Sequence, residues 1–323
     1  MGYRFSVFLG DVGSCFDRYC RAYGKPFKIE ELFSRVASVE GITGVDLVVD
    51  DEFIKKERQM KELAASNGLE VVSLNPDLFS SPLWRQGTLS SRDGSVRRKA
   101  LDLIFRTADL ALEWGCGLVA LWPGQDGYDY LFQADYLAER ELFASGVREI
   151  CKKYPGITIG LEYKPKEPRM RSYLSSAAMA ILVIQEVGEP NCRAVLDYGH
   201  ALYGGENPAE SVALFHRYGK TLGHIHINDN YRSWDDDMIV GSVHTLEFLE
   251  FFHWLRKTGY AGWITIDQFP YREDGRDAVA ESVAWMRAME AALERIDART
   301  IDEVLAGKDA VESSRLMRRL LFE

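Results

Sequence analysis

Eight short runs rich in β-branched and aromatic residues, separated by longer stretches of helical periodicity, constrain this chain's fold more than any other feature. The runs are Tyr3–Leu9, Gly44–Val49, Leu69–Leu74, Gly117–Trp122, Ile157–Tyr163, Arg193–Tyr198, Leu222–Asn228 and Trp263–Gln268. Amphipathic segments such as Ser95–Gly115 and Gln133–Tyr154 lie between them. Eight strands alternating with helices is the count of an α/β fold, the (β/α)8 TIM barrel, and 323 residues suit one such domain. A doubly wound sheet would alternate too, but no glycine-rich phosphate loop follows the first run. The expected division is a single barrel over residues 1–290 and a short C-terminal helical extension over 291–323. The extension, "DARTIDEVLAGKDAVESSRLMRRLLFE" in its helical part, reads as one or two helices that cannot bury their apolar faces alone. Packing across the barrel bottom or onto a second subunit would cover them, which favours a homo-oligomer, a dimer or tetramer.

Composition narrows the functional classes. A net charge of −10 and a pI near 5.3 argue against nucleic acid as a partner, because binding a phosphate backbone needs a basic face. The five cysteines are scattered without a C-x-x-C pair, as expected of free thiols in a reducing compartment such as the cytoplasm. No secretory leader is legible at the N-terminus, and no apolar run approaches the length of a membrane span, so no membrane partner is expected.

In a barrel of this type, chemistry collects at the C-terminal ends of the strands. Here the fifth run ends in Glu162, the sixth in Asp197, the seventh in His226 and the eighth in Asp267. Four consecutive strands thus finish in a metal-ligand side chain, three of them carboxylates. Crowding them together raises the carboxylate pKa values by mutual repulsion unless a cation is present. Oxygen ligands with one imidazole suit Mg, Mn or Co better than a structural zinc site. Side chains alternate along a strand, so His224, His226 and Asn228 share a face, as do Glu162 and Lys164. A second set overlaps the first: His200 follows Asp197 by three residues, and the loop "NDNYRSWDDDMIVG" carries Asp235 and Asp237. With Asp197 bridging, two divalent ions per subunit can be accommodated.

These residues resemble the xylose isomerase family of sugar isomerases and epimerases, including rhamnose isomerase-like members. "LEYKPKEPR" (Leu161–Arg169) is similar to the family's E-P-K-P-N-E-P-R stretch, and "LDYGH" to its E-T-G-H. "HIHIN" with "WDDDMIVG" resembles H-I-D-L-N and Y-D-Q-D-L-x-F-G, and "IDQFPYRED" resembles F-D-x-K-P-x-R-x-E-D. "DLFSSPLWRQGTLSSRDGSVRRKAL" and "LVALWPGQDGYDY" are similar to family segments that place Phe79 and Trp122 on the substrate pocket. Two departures stand out. His226 replaces a fourth carboxylate, and "VDLVVDDEF" lacks the histidine that opens the sugar ring. Ring opening would then use Asp50, Asp51 or water, or the substrate's ring would open readily.

The resemblance implies a divalent-metal-dependent aldose–ketose isomerase acting by a metal-assisted 1,2-hydride shift on a small sugar. Glu162, Asp197, His226 and Asp267 would hold one ion, and Asp197, His200, Asp235 and Asp237 the other. Lys164 would stabilise charge developing on the carbonyl, with Phe79 and Trp122 as apolar walls. Glu167, Arg169 and His224 would stand behind the ligands and orient them. Two other outcomes stay open: a single-metal ketose 3-epimerase in which Glu162 and Asp267 exchange a proton as a catalytic pair, and a non-catalytic sugar-binding relative.

Overall fold

The computed structural model describes residues 2–17 and 19–323. Eight parallel strands close into a barrel: β1 (Arg4–Phe8), β2 (Ile42–Val49), β3 (Glu70–Pro76), β4 (Leu118–Leu121), β5 (Thr158–Glu162), β6 (Cys192–Asp197), β7 (Leu222–Ile227) and β8 (Trp263–Ile266). Each strand pairs with its sequence neighbours, and β1 closes the ring against β8. All eight expected runs are strands. The helices outside them are α1 (Ile29–Ala37), α2 (Glu57–Ser66), α3 (Gly94–Trp114), α4 (Tyr136–Lys153), α5 (Ala177–Val187), α6 (Pro208–Arg217), α7 (Thr245–Thr258) and α8 (Gly275–Glu294).

Local chemistry sets many of these boundaries. Asp93, Asp135, Ser176, Asn207 and Asp274 each accept a backbone N–H at the start of a helix. Gly115, Gly188 and Gly259 end helices in the left-handed conformation, where a side chain is costly. The main core lies between barrel and helices. Inside the barrel, Leu118, Ala120 and Val195 form a small apolar plug. Beside them Ser6, Asp46, Ser73, Thr265 and His224 form a buried hydrogen-bonded network.

The extension forms two helices, α9 (Ala298–Gly307) and α10 (Ala310–Phe322). Ile301 and Leu320 are buried, and Arg295 Nη2 donates to the Leu320 carbonyl at 3.1 Å. Lys257 at the end of α7 pairs with Asp302. Val311, Met317, Leu321 and Phe322 stay exposed. The five cysteines are free. No described helix is long and apolar enough to cross a membrane.

Candidate metal centre

Strand register decides which side chains meet. Asp197 on β6 pairs in register with His226 on β7, and His226 pairs with Thr265 on β8. Two residues beyond Thr265, Asp267 faces the same interior, and Glu162 ends β5 on the other side of Asp197. Glu162, Asp197, His226 and Asp267 can each offer an atom such that all four lie within 4.8 Å of one another. Three of the four are buried, and Asp267 is partly open to the cavity above.

His226 is the residue that asks for a further partner. It is fully buried, yet neither ring nitrogen has a hydrogen-bond partner. Its Nδ1 lies 3.3 Å from Glu162 Oε1 and 3.6 Å from Asp267 Oδ2. An orphaned imidazole facing two carboxylates fits a divalent cation. Without one, burial disfavours the charged ring, but Glu162, Asp267 and Asp197 together outweigh it, and His226 is pushed up to about 10. Burial raises Asp267 to about 7; His226 opposes this, while Asp197 and Glu162 add to it. Glu162 shifts the other way: burial would raise it, but His226, His200 and Lys164 hold it below its ordinary value.

The second expected set closes differently. The side chain of Lys164, buried just past β5, donates to Asp235 Oδ2 and Glu167 Oε2, both at 2.8 Å. His200 Nε2 lies 3.2 Å from the same Asp235 oxygen, and its Nδ1 contacts the Tyr163 carbonyl at 3.0 Å. Burial opposes charge on His200, but Asp197 and Asp235 push it up to about 9. Asp235 is thus held by two cations of the protein itself. Asp197, His200, Asp235 and Asp237 do not draw together as the first four do. Both contacts fall on Oδ2, and Asp235 Oδ1 is buried without a hydrogen-bond partner, which leaves that oxygen for a second ion.

Other expected residues fall as follows. Phe79 and Trp122 pack with ring centroids 4.7 Å apart, and Lys164 Nζ sits 5.1 Å from the Trp122 ring centroid. Glu167 does touch Lys164. Arg169 is directed elsewhere, donating to the Arg85 and Gly127 carbonyls at 2.9 and 3.1 Å and pairing with Asp129. It fixes loops around the mouth rather than orienting a ligand. His224 lies edge-on to His226 and bonds Thr265 at 2.7 Å, and burial, the main cause, lowers its pKa below the ordinary value. Asp50 accepts the Phe53 N–H to cap a short helix, and both Asp50 and Asp51 are exposed away from the cavity lining. They are not placed to open a sugar ring.

The profile of the xylose isomerase-like TIM barrel family matches residues 33–289, most of the chain. The chain belongs to this family. The xylose isomerase of Thermus thermophilus is 28% identical over 230 residues, which are 69% of this chain and 59% of that enzyme. The enzyme of Thermus caldophilus is 27% identical over the same shares. The chain therefore spans about 59% of the length of these curated relatives. Among solved structures, an L-ribulose 3-epimerase superposes with a TM-score of 0.71 at 17% identity, covering 92% of this chain and 99% of that one. A D-psicose 3-epimerase gives 0.68 at 15% identity, covering 88% and 98%. At such identities these likenesses show the barrel architecture alone.

Within this xylose isomerase-like barrel, Asn228 closes the HIHIN likeness without a role of its own in the sequence reading. Its Nδ2 donates to both Asp197 oxygens, at 3.2 and 3.4 Å, and so orients a candidate ligand. The signal was the alternation that places Asn228 on the His226 face. Gly199 makes room for it: a Cβ there would lie 1.8 Å from Asn228 Oδ1. Gly199→Ala should displace Asn228 and weaken Mn(II) binding about 10–100-fold while the chain stays folded. Titration with Mn(II) read by its paramagnetic resonance measures this; unchanged affinity would remove Asn228 from the site.

Proposed function

We propose that this chain is a divalent-metal-dependent sugar isomerase that interconverts an open-chain aldose and ketose by a 1,2-hydride shift. The observation that carries the reading is the buried Lys164 ammonium beside the closed group of Glu162, Asp197, His226 and Asp267. A lysine is seldom buried, and this one is kept charged. Burial works against that charge, but Asp235, Asp237 and Glu167 hold its pKa above the ordinary value.

Glu162, Asp197, His226 and Asp267 would hold one ion, Mn, Mg or Co by their donor set. When bound, the ion would supply Lewis-acid polarisation of the substrate's carbonyl and adjacent hydroxyl. Lys164 would donate to the carbonyl oxygen as negative charge grows there, an interaction strongest in the transition state. Asp235 and Glu167 fix the direction of that ammonium. Phe79 and Trp122 line the same cavity and keep bulk water from the migrating hydrogen.

One observation favours a second reading. Glu162 and Asp267 flank His226 with pKa values driven in opposite directions, the pattern of a paired base and acid. Glu162 would remove a proton next to a ketone carbonyl and Asp267 would return one to the other face, which is 3-epimerisation. The test of metal-dependent sugar chemistry common to both is turnover of an aldose and ketose panel with Mn(II), lost on chelation and restored on re-addition. Turnover that survives chelation would remove the metal from both.

A further inference from the structure

The barrel mouth is divided into two unlike halves. On β5 to β8 the strands end in Glu162, Asp197, His226 and Asp267. From β1 to β4 the cavity is lined by Phe8, Val48 and, just past β4, Trp122, with Phe79 from the loop after β3, beside Asp11, Asn75 and Gln125. Alternation places Val48 inward, because Asp46 two residues earlier bonds Ser73 and Thr265 inside the barrel. Val48 is nonetheless 42% exposed, so its surface opens onto the cavity. Phe16, on the loop after β1, is 63% exposed at the rim of the same cavity.

The polar groups on this side are few and partly engaged, with Gln125 Nε2 donating to the Phe79 carbonyl at 2.9 Å. Asp11 accepts the Gln268 N–H at 3.0 Å, and Asn75 Nδ2 donates to Ser73 at 2.8 Å and to the Leu47 carbonyl at 3.3 Å. A sugar hydroxyl placed against Phe8, Val48, Phe79 or Trp122 would exchange water for carbon and lose its hydrogen bonds without replacement. The cavity also exceeds what a bare sugar needs. It holds about 730 Å³. A hexose displaces roughly 180 Å³, on the order of six waters at about 30 Å³ each.

We propose that the substrate is a sugar conjugate: its reacting carbons lie against the β5–β8 half, and an aromatic substituent fills the β1–β4 half. This inference rests on the mouth being a sugar site, as proposed above, but not on which carbon reacts. The aromatic choice follows from the walls, since Phe8, Phe16, Phe79 and Trp122 present ring faces and edges to one space. It also accounts for the exposed Val48 near the end of β2, in the stretch that lacks the family's ring-opening histidine.

The test is calorimetric binding of 6-O-benzoyl-D-glucose and D-glucose to the Mn(II)-loaded full chain, with turnover of each followed separately. Burial of the phenyl group should make the conjugate bind about 50-fold tighter than the parent sugar. Val48→Asp should shrink the ratio to a few-fold, and Val48→Thr, which keeps the shape, should give an intermediate value. Equal, weaker or unmeasurable binding of the conjugate overturns the inference, whatever D-glucose does. A 50-fold preference without turnover of either sugar leaves the inference standing and counts against the isomerase reading instead.

Discussion

Lys164→Met is expected to lower turnover about 10²–10³-fold, the effect of removing one preorganised donor from a developing oxyanion. Mn(II) affinity should change only a few-fold, because Lys164 is not among the four converging candidate ligands. The substitution also strips one cation from Asp235, a buried carboxylate, and such loss is destabilising. His200, charged at neutral pH by its neighbours, still pairs with Asp235 and limits the damage. The double variant Lys164→Met/Asp235→Asn removes the stranded charge as well. It should regain thermal stability without regaining turnover. Recovery of turnover in the double variant would assign Lys164 a purely structural role.

Asp267→Asn should have opposite effects on the metal-free and metal-loaded protein. Asp267 has a folded pKa of about 7 against an ordinary value of 3.8, so the native state holds a proton that the unfolded chain has released. Its contribution to stability is full below about 3.8 and is lost as pH rises through 7. At about pH 8 the wild-type fold therefore carries an unwelcome charge that asparagine lacks. The metal-free variant should melt roughly 2–4 °C higher than wild type, the equivalent of about 1 kcal/mol. Mn(II) at about a hundred times its Kd should stabilise wild type by about 2.7 kcal/mol and the variant much less. Protons count as well. Near pH 8 binding to wild type displaces chiefly the proton on His226, whereas near pH 6 it displaces that of Asp267 too. Affinity should therefore rise with pH, more steeply in wild type than in Asp267→Asn below neutrality. Scanning calorimetry and Mn(II) titrations at the two pH values read all of this; parallel pH slopes would show that Asp267 is not a ligand.

The strands were legible because β-branched residues alternate at regular spacing, and the four converging side chains of the candidate metal centre because each stands at a strand end. The pairing of Lys164 with Asp235 was not legible, since it depends on how the loop after β7 folds back. There Asp229 and Met238 exchange backbone hydrogen bonds at 3.0 and 2.7 Å, closing the loop that carries Asp235. Arg169 looked like a neighbour of Glu162 by sequence distance, yet the turn after Pro165 sends it to Gly127 and Arg85. Asp46, buried under His226 with His224 and Thr265, had no motif to announce it. Its partners come from three other strands, and only barrel closure brings them together. Asp50 shows the reverse error, an acid in a suggestive position that caps a helix.

The most direct measurement is NMR of a sugar panel, including benzoylated sugars, turned over in D2O by the Mn(II)-loaded protein. A 1,2-hydride shift should convert aldose to ketose with the migrating hydrogen retained and no deuterium at carbon. Deuterium entering at carbon with each turnover would contradict it and transfer the chemistry to Glu162 and Asp267 as a proton-exchanging pair.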